Sequence, residues 1–187
     1  MRAKIDRVRV GVLGAGGGQT LAALCHNHPN AETVAMCDTR RERLAAAARS
    51  LDIAGLKSYA DLNEFLRHPM DAVVVCSDAP MHAEHVVICL EAGFHVQSEV
   101  PMDYTYEGCL AIINAVERTG LKYMLAENYQ YVPCWPRLRK WVKRGKLGQV
   151  VYCEGEYVHD CRALHWVVPL EGAREPRHPA TTRSRAT

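Results

Sequence analysis

The run Val8-Arg9-Val10-Gly11-Val12-Leu13-Gly14-Ala15-Gly16-Gly17-Gly18-Gln19 decides how the rest of the chain is read. Val8 to Leu13 is β-rich, Gly14 to Gly18 is a loop of glycines broken only by Ala15, and Gln19 to His26 has helical spacing, closed by Asn27-His28-Pro29-Asn30. Glycines between a strand and a helix let the backbone turn tightly and approach a pyrophosphate, whose charge then sits at the helix N-terminus. Thr33 to Cys37 is a second strand, and Asp38 ends it, 22 residues after Gly16. A carboxylate there accepts hydrogen bonds from ribose hydroxyls. Counted as Gly-x-Gly-x-x-Gly from Gly14, the third position holds Gln19, where close helix–strand packing wants glycine; Gly18 beside it can relieve the crowding. The order strand, loop, helix, acid favours a dinucleotide site over a merely structural turn. A methyltransferase is the rival reading of such a loop. It would want an acidic residue between Val8 and Gly18, and none is there.

Outward from that loop, β-rich runs alternate with helical patterns. Arg40 to Leu51 reads as a helix, Asp61 as the N-cap of a short one, and Ala72 to Cys76 as a strand covered on both faces. His82 to Ala92 is helical and stopped by Gly93, His95 to Ser98 is a strand, Tyr106 to Thr119 a helix stopped by Gly120, and Lys122 to Ala126 a further strand. This alternation predicts an α/β fold, a doubly wound parallel sheet over residues 1–126. Ser77 and Pro80 fall in the loop after a central strand, where open α/β sheets bind ligands, and His82 is expected to pack beside that cofactor loop. After Ala126 the composition changes: eight of the thirteen aromatic residues lie between Tyr123 and Trp166. Pro133 to Arg144 predicts a helix, and Gln149 to His159 alternates like a strand. Residues 127–166 therefore read as the truncated start of a second, α+β domain, and 167–187, with three prolines and no apolar period, as a disordered tail.

The composition excludes several classes. With 187 residues, 48% apolar and 24% charged, the chain is a globular protein rather than a disordered one. The net charge of +2 comes entirely from the tail, where four arginines face two glutamates, so the body carries no electrostatic footprint for nucleic acid. No apolar run reaches the ~20 residues that span a bilayer, and the N-terminus lacks a secretory apolar stretch, so a soluble, cytoplasmic protein is expected. None of the eight cysteines forms a Cys-x-x-Cys pair; they read as reduced core thiols. His159, Cys161 and His165 lack a fourth ligand, and no metal site is expected.

The glycine loop, Met36-Cys37-Asp38 followed by Arg41-Glu42-Arg43, Ala72-Val73-Val74-Val75, His82-Ala83-Glu84-His85 and Leu90-Glu91-Ala92-Gly93-Phe94-His95-Val96 together resemble the Gfo/Idh/MocA oxidoreductases, over about Val8 to Trp166. The resemblance implies a Rossmann domain that binds NAD or NADP, then a domain that carries a sugar-like substrate and mediates homo-oligomerisation. It places the cofactor against Gly14, Gly16, Gly17, Gly18, Gln19, Asp38, Ser77, Pro80, His82, Glu99 and Asn128. Asp38 favours NAD, since its charge repels a 2′-phosphate, while Arg40 and Arg41 nearby argue for NADP. The family usually reads Glu-Lys-Pro after the fifth strand, the lysine being catalytic; this chain reads Glu99-Val100-Pro101. Valine cannot move a proton. That variant, with Ala126-Glu127-Asn128-Tyr129 and Tyr157-Val158-His159-Asp160, is similar to a branch of NAD-dependent glycosidases that oxidise, eliminate, hydrate and re-reduce their sugar. On a strand, Tyr157 and His159 share one face and are the candidate catalytic pair. The bland alternative is a half-buried strand with satisfied polar tips. As to function, the expectation is a catalytically incomplete oxidoreductase-type nucleotide binder, set against a non-catalytic module or a glycosidase fragment.

Overall fold

The computed structural model describes residues 7–158. They fall in two compact units, one running to Pro136 and one beginning at Arg137. The first holds six strands in chain order: β1 (Val8–Leu13), β2 (Ala31–Cys37), β3 (Lys57–Tyr59), β4 (Ala72–Val75), β5 (His95–Ser98) and β6 (Tyr123–Leu125). All pair in parallel, in the spatial order β3-β2-β1-β4-β5-β6. This is the doubly wound Rossmann sheet, and the strand order reverses between β1 and β4.

The helices form where the sequence supplies both a stripe and a stop. They are α1 (Gly18–Asn27), α2 (Arg41–Leu51), α3 (Leu62–Phe65), α4 (His82–Glu91) and α5 (Tyr106–Thr119). Asp61 caps α3 by accepting the Glu64 N–H at 2.9 Å, and Thr105 caps α5 by accepting the Gly108 N–H at 3.0 Å. Gly120 ends α5 at φ 66°, a left-handed conformation that glycine adopts without a Cβ penalty. Alternate strand residues point to opposite faces, so the sheet carries two cores. Val12, Met36 and Val74 pack with Ala22 and Leu44 on one face. Val73, Val75 and Val96 pack with Phe65, Val86, Leu90 and Ile112 on the other. Strand β3 was not legible in advance. Three residues show no usable alternation, and Lys57–Tyr59 becomes a strand because Ala35 to Cys37 offers it a ladder.

Helix α6 (Cys134–Lys143) follows a short 3₁₀ turn at Asn128–Tyr131. The strand expected from Gln149 to His159 does not form: residues 149–158 adopt neither strand nor helix. Alternation fits a residue run to a pleat, but a strand exists only where a neighbour completes its hydrogen bonds. His159, Cys161, His165 and the tail lie outside the described residues. Among the described residues, no helix is long and apolar enough to cross a membrane.

Candidate dinucleotide site

Because every strand is parallel, the loops after β1, β2, β4, β5 and β6 share one edge of the sheet. The loop after β1 is pinned there from several sides. The Gly14 N–H donates to the Cys37 carbonyl and the Cys76 N–H to that of Leu13, both at 2.7 Å. Gly14 sits at φ 104°, and a Cβ on it would strike the Cys76 carbonyl oxygen. Only glycine fits there. Gly18 is buried, and its Cβ would lie 2.7 Å from Val12 Cγ1. The close packing of helix on strand therefore falls on Gly18 rather than on the next position. Gln19 is free to serve differently. Its Nε2 donates to the Ala15 carbonyl at 2.8 Å, and its Oε1 accepts the Ser50 hydroxyl at 2.7 Å, tying the loop to α2.

Gly16 and Gly17 are exposed, and a Cβ on Gly17 would meet nothing within 4 Å. Helix α1 opens directly behind them with no acidic residue in its first turn and no capping side chain. Its first amides and its dipole are left to face solvent or an anion. A Cβ on Gly16 would lie 3.3 Å from Arg43 Nη1. The cradle of uncapped amides is thus open at Gly17 and flanked by a guanidinium at Gly16, which fits the pyrophosphate of a dinucleotide.

Asp38 is buried, with 8% of its surface exposed. Its Oδ2 accepts the Ala15 N–H and its Oδ1 the Arg40 N–H, each at 2.8 Å, while Arg43 Nη1 stands 3.8 Å from Oδ2. The carboxylate thus anchors the glycine loop to the start of α2 and still lines the adjoining cleft. That cleft holds about 240 Å³, with Asp38, Thr39, Arg40 and Arg43 on one side and Ser77, Asp78, Met81 and His85 on the other. Of these, Thr39, Arg43, Asp78, Met81 and His85 were not singled out as site residues from the sequence. Arg43 and His85 carried a signal, within Arg41-Glu42-Arg43 and His82-Ala83-Glu84-His85.

Ser77 is held by two histidines. His85 Nδ1 lies 2.8 Å from Ser77 Oγ, and His82 Nε2 lies 2.9 Å from the Ser77 carbonyl oxygen. His82 Nδ1 lies 2.7 Å from the Pro101 carbonyl oxygen, so one buried imidazole links the loops after β4 and β5. Burial lowers the His85 pKa, Glu84 opposing and His82 assisting, so its ring faces Ser77 uncharged near neutral pH. Pro80 is exposed in the 3₁₀ turn Ala79–Met81 before α4. The Cys37 and Cys76 thiols beside the cleft are pushed up to about 12, mainly by burial, and are inert as nucleophiles.

After β5, Glu99 accepts the Val100 N–H at 3.2 Å through Oε2, and Val100 is 41% exposed. Asn128 is exposed in the turn after β6, where Glu127 accepts the Tyr129 N–H at 3.0 Å. Glu99 and Asn128 thus belong to loops on the same sheet edge as the glycine cradle. Tyr157 is exposed and not on a strand, so the face it was expected to share with His159 is not formed within the described residues.

A reversed parallel sheet with a glycine cradle at the switch point and an acid closing β2 defines a nucleotide-binding Rossmann protein. The chain belongs to the Gfo/Idh/MocA oxidoreductases: the model of this family, described as an oxidoreductase family with an NAD-binding Rossmann fold, matches residues 8–127. Glycosyl hydrolase family 109 protein 1 of Bacteroides fragilis is 32% identical over 166 residues, which make up 84% of this chain and 36% of that protein. An alpha-N-acetylgalactosaminidase of Bacteroides fragilis is 29% identical over 148 residues, 75% of this chain and 35% of its own length. The crystal structure of the WlbA dehydrogenase from Bordetella pertussis, in complex with NADH and UDP-GlcNAcA, superposes with a TM-score of 0.70 at 25% identity, covering 76% of this chain and 44% of that one. The chain spans little more than a third of the length of these curated relatives.

Proposed function

We propose that this chain binds NAD in the cleft beside the glycine loop and serves a protein that acts on a sugar-like small molecule in the cytoplasm. The observation that carries the reading is the loop itself, fixed by Gly14 and by the Asp38 carboxylate so that bare backbone amides face outward. Bound nicotinamide would supply a hydride acceptor. The chain's own residues would do the rest: Gly16, Gly17 and the first turn of α1 hold the pyrophosphate, and Asp38 meets the adenosine ribose. Ser77, Pro80, Glu99 and Asn128 line the path toward the reacting end, with the buried His82 behind them holding Ser77. Isothermal titration with NADH tests the reading. Micromolar or tighter binding is expected, and no detectable heat or fluorescence change at millimolar NADH would overturn it.

A second reading, redox-neutral glycoside cleavage, is favoured by Val100. An alkyl side chain at the position of the usual family lysine neither accepts nor donates a proton. Proton transfer is then assigned to Tyr157 and His159, with substrate binding and homo-oligomerisation placed on residues after 127. Aryl glycosides released with catalytic NAD and no net NADH support this reading. Steady NADH growth on polyols supports a dehydrogenase, and neither activity supports a non-catalytic module.

A further inference from the structure

We infer that Asp78, by holding Arg40 across the mouth of the cleft, sets the preference for NAD over NADP. The inference rests on the proposed dinucleotide site. Four charged side chains line that cleft: Asp38, Arg40, Arg43 and Asp78. Arg40 Nη2 lies 3.5 Å from Asp78 Oδ2, joining the loop after β2 to the loop after β4. Arg43 Nη1 lies 3.8 Å from Asp38 Oδ2. Each guanidinium that lines the cleft is therefore within ion-pair distance of a carboxylate. A phosphate brings almost two negative charges, and it would have to break such a pair and sit among two acids. A bare ribose hydroxyl meets no such cost.

The two acids are not equivalent. Asp38 is buried and occupied by the Ala15 and Arg40 amides, so removing it loosens the glycine loop and weakens both cofactors together. The Asp78 side chain is 60% exposed. Its charge can be removed without opening the core. Arg40 is also the N-cap residue of α2, where a cation opposes the helix dipole, so the structure around it gives it no other reason to be charged. Freed from Asp78, it becomes the phosphate receptor that the wild-type chain withholds.

The test is a double-mutant cycle on the full chain, reading the ratio of NADPH to NADH dissociation constants by titration of nucleotide fluorescence. Wild type should favour NADH. Asp78→Asn should move the ratio roughly three- to fivefold toward NADPH, the upper end of what an exposed charge pair contributes. Arg40→Gln alone should move it less than about twofold, and Arg40→Gln added to Asp78→Asn should cancel the gain. Asp78→Ser repeats the arm, and thermal melts without nucleotide report that each variant folds. A wild-type preference for NADPH, a shift below about twofold in both Asp78 variants, or a shift that survives loss of Arg40 would overturn the inference. Binding of neither nucleotide by wild type would instead remove the dinucleotide reading, and this inference with it.

Discussion

Two stretches with similar claims to being strands ended differently. Ala72–Val75 is a short apolar run, and 149–158 a longer alternating one. The first is β4, bonded to β1 on one side and β5 on the other, with Val73 and Val75 fully buried. The second forms no strand, and Val151 and Val158 are 87% and 92% exposed. Side-chain pattern was a weaker guide than the availability of two neighbouring ladders. A β-rich run next to a folded βαβ unit inherits partners; one that follows the unit must find its own.

The sharpest way to press this contrast is at the point where β1 and β4 carry the glycine loop. Gly14→Ala forces a Cβ into the Cys76 carbonyl at a positive φ, and should cost roughly 3 kcal/mol or more and abolish NADH binding. Chemical denaturation with titration measures both. A variant of native stability would mean that the loop is not held against β4.

The contrast itself is tested by matched truncations. Val75→Ala removes two methyl groups from a fully buried site and should cost about 2 kcal/mol, whereas Val151→Ala should stay within about 0.5 kcal/mol. Equal costs in denaturant melts would show that 149–158 is packed as firmly as β4. Within the loop, Gly18→Ala should cost about 1–3 kcal/mol by crowding Val12, while Gly17→Ala should leave stability within about 0.5 kcal/mol yet weaken NADH binding, since its Cβ would enter the phosphate cradle.

The smallest effect is one of pH. Burial lowers the pKa of His85 and of His68, so the unfolded chain binds protons more readily than the folded one. Their contribution to stability is complete above the ordinary histidine value and is lost as pH falls below about 6.5 toward the folded values. Melting temperature should drop across that acid window, and the His85→Gln variant should drop less steeply. A wild-type profile that is flat or rises on acidification would contradict the burial of both rings.

Much of the site edge is legible in the sequence. Gly14, Gly16 and Asp38 announce themselves because short-range chemistry, a tight turn and an acid after a strand, is written in adjacent residues. Gly18 could be named as a substitute for the missing third glycine, since crowding between neighbouring elements is nearly local. The roles of Arg43 and Asp78 and the double hold on Ser77 were not legible, because each depends on how the first turns of α2 and α4 are set against the loops before them, and Asp78 also on a partner 38 positions away. Nor could the alternation of 149–158 reveal that these residues form no strand.

By itself, the sequence determined the winding: strand, glycine loop, helix and acid in order, then repeated β–α units whose right-handed crossovers allow few other topologies. It also determined that Val100 brings no proton-transferring group to the loop after β5. Only the tertiary structure decided what Asp38 does, because its two amide partners come from opposite sides, Ala15 before it and Arg40 after it. The same holds for Arg40 and Asp78, which lie 38 positions apart and meet only because β1, between β2 and β4, sets the width of the cleft they close. Local conformation follows from neighbours in the chain, whereas charge pairing and the shape of a cleft follow from distances that packing alone sets.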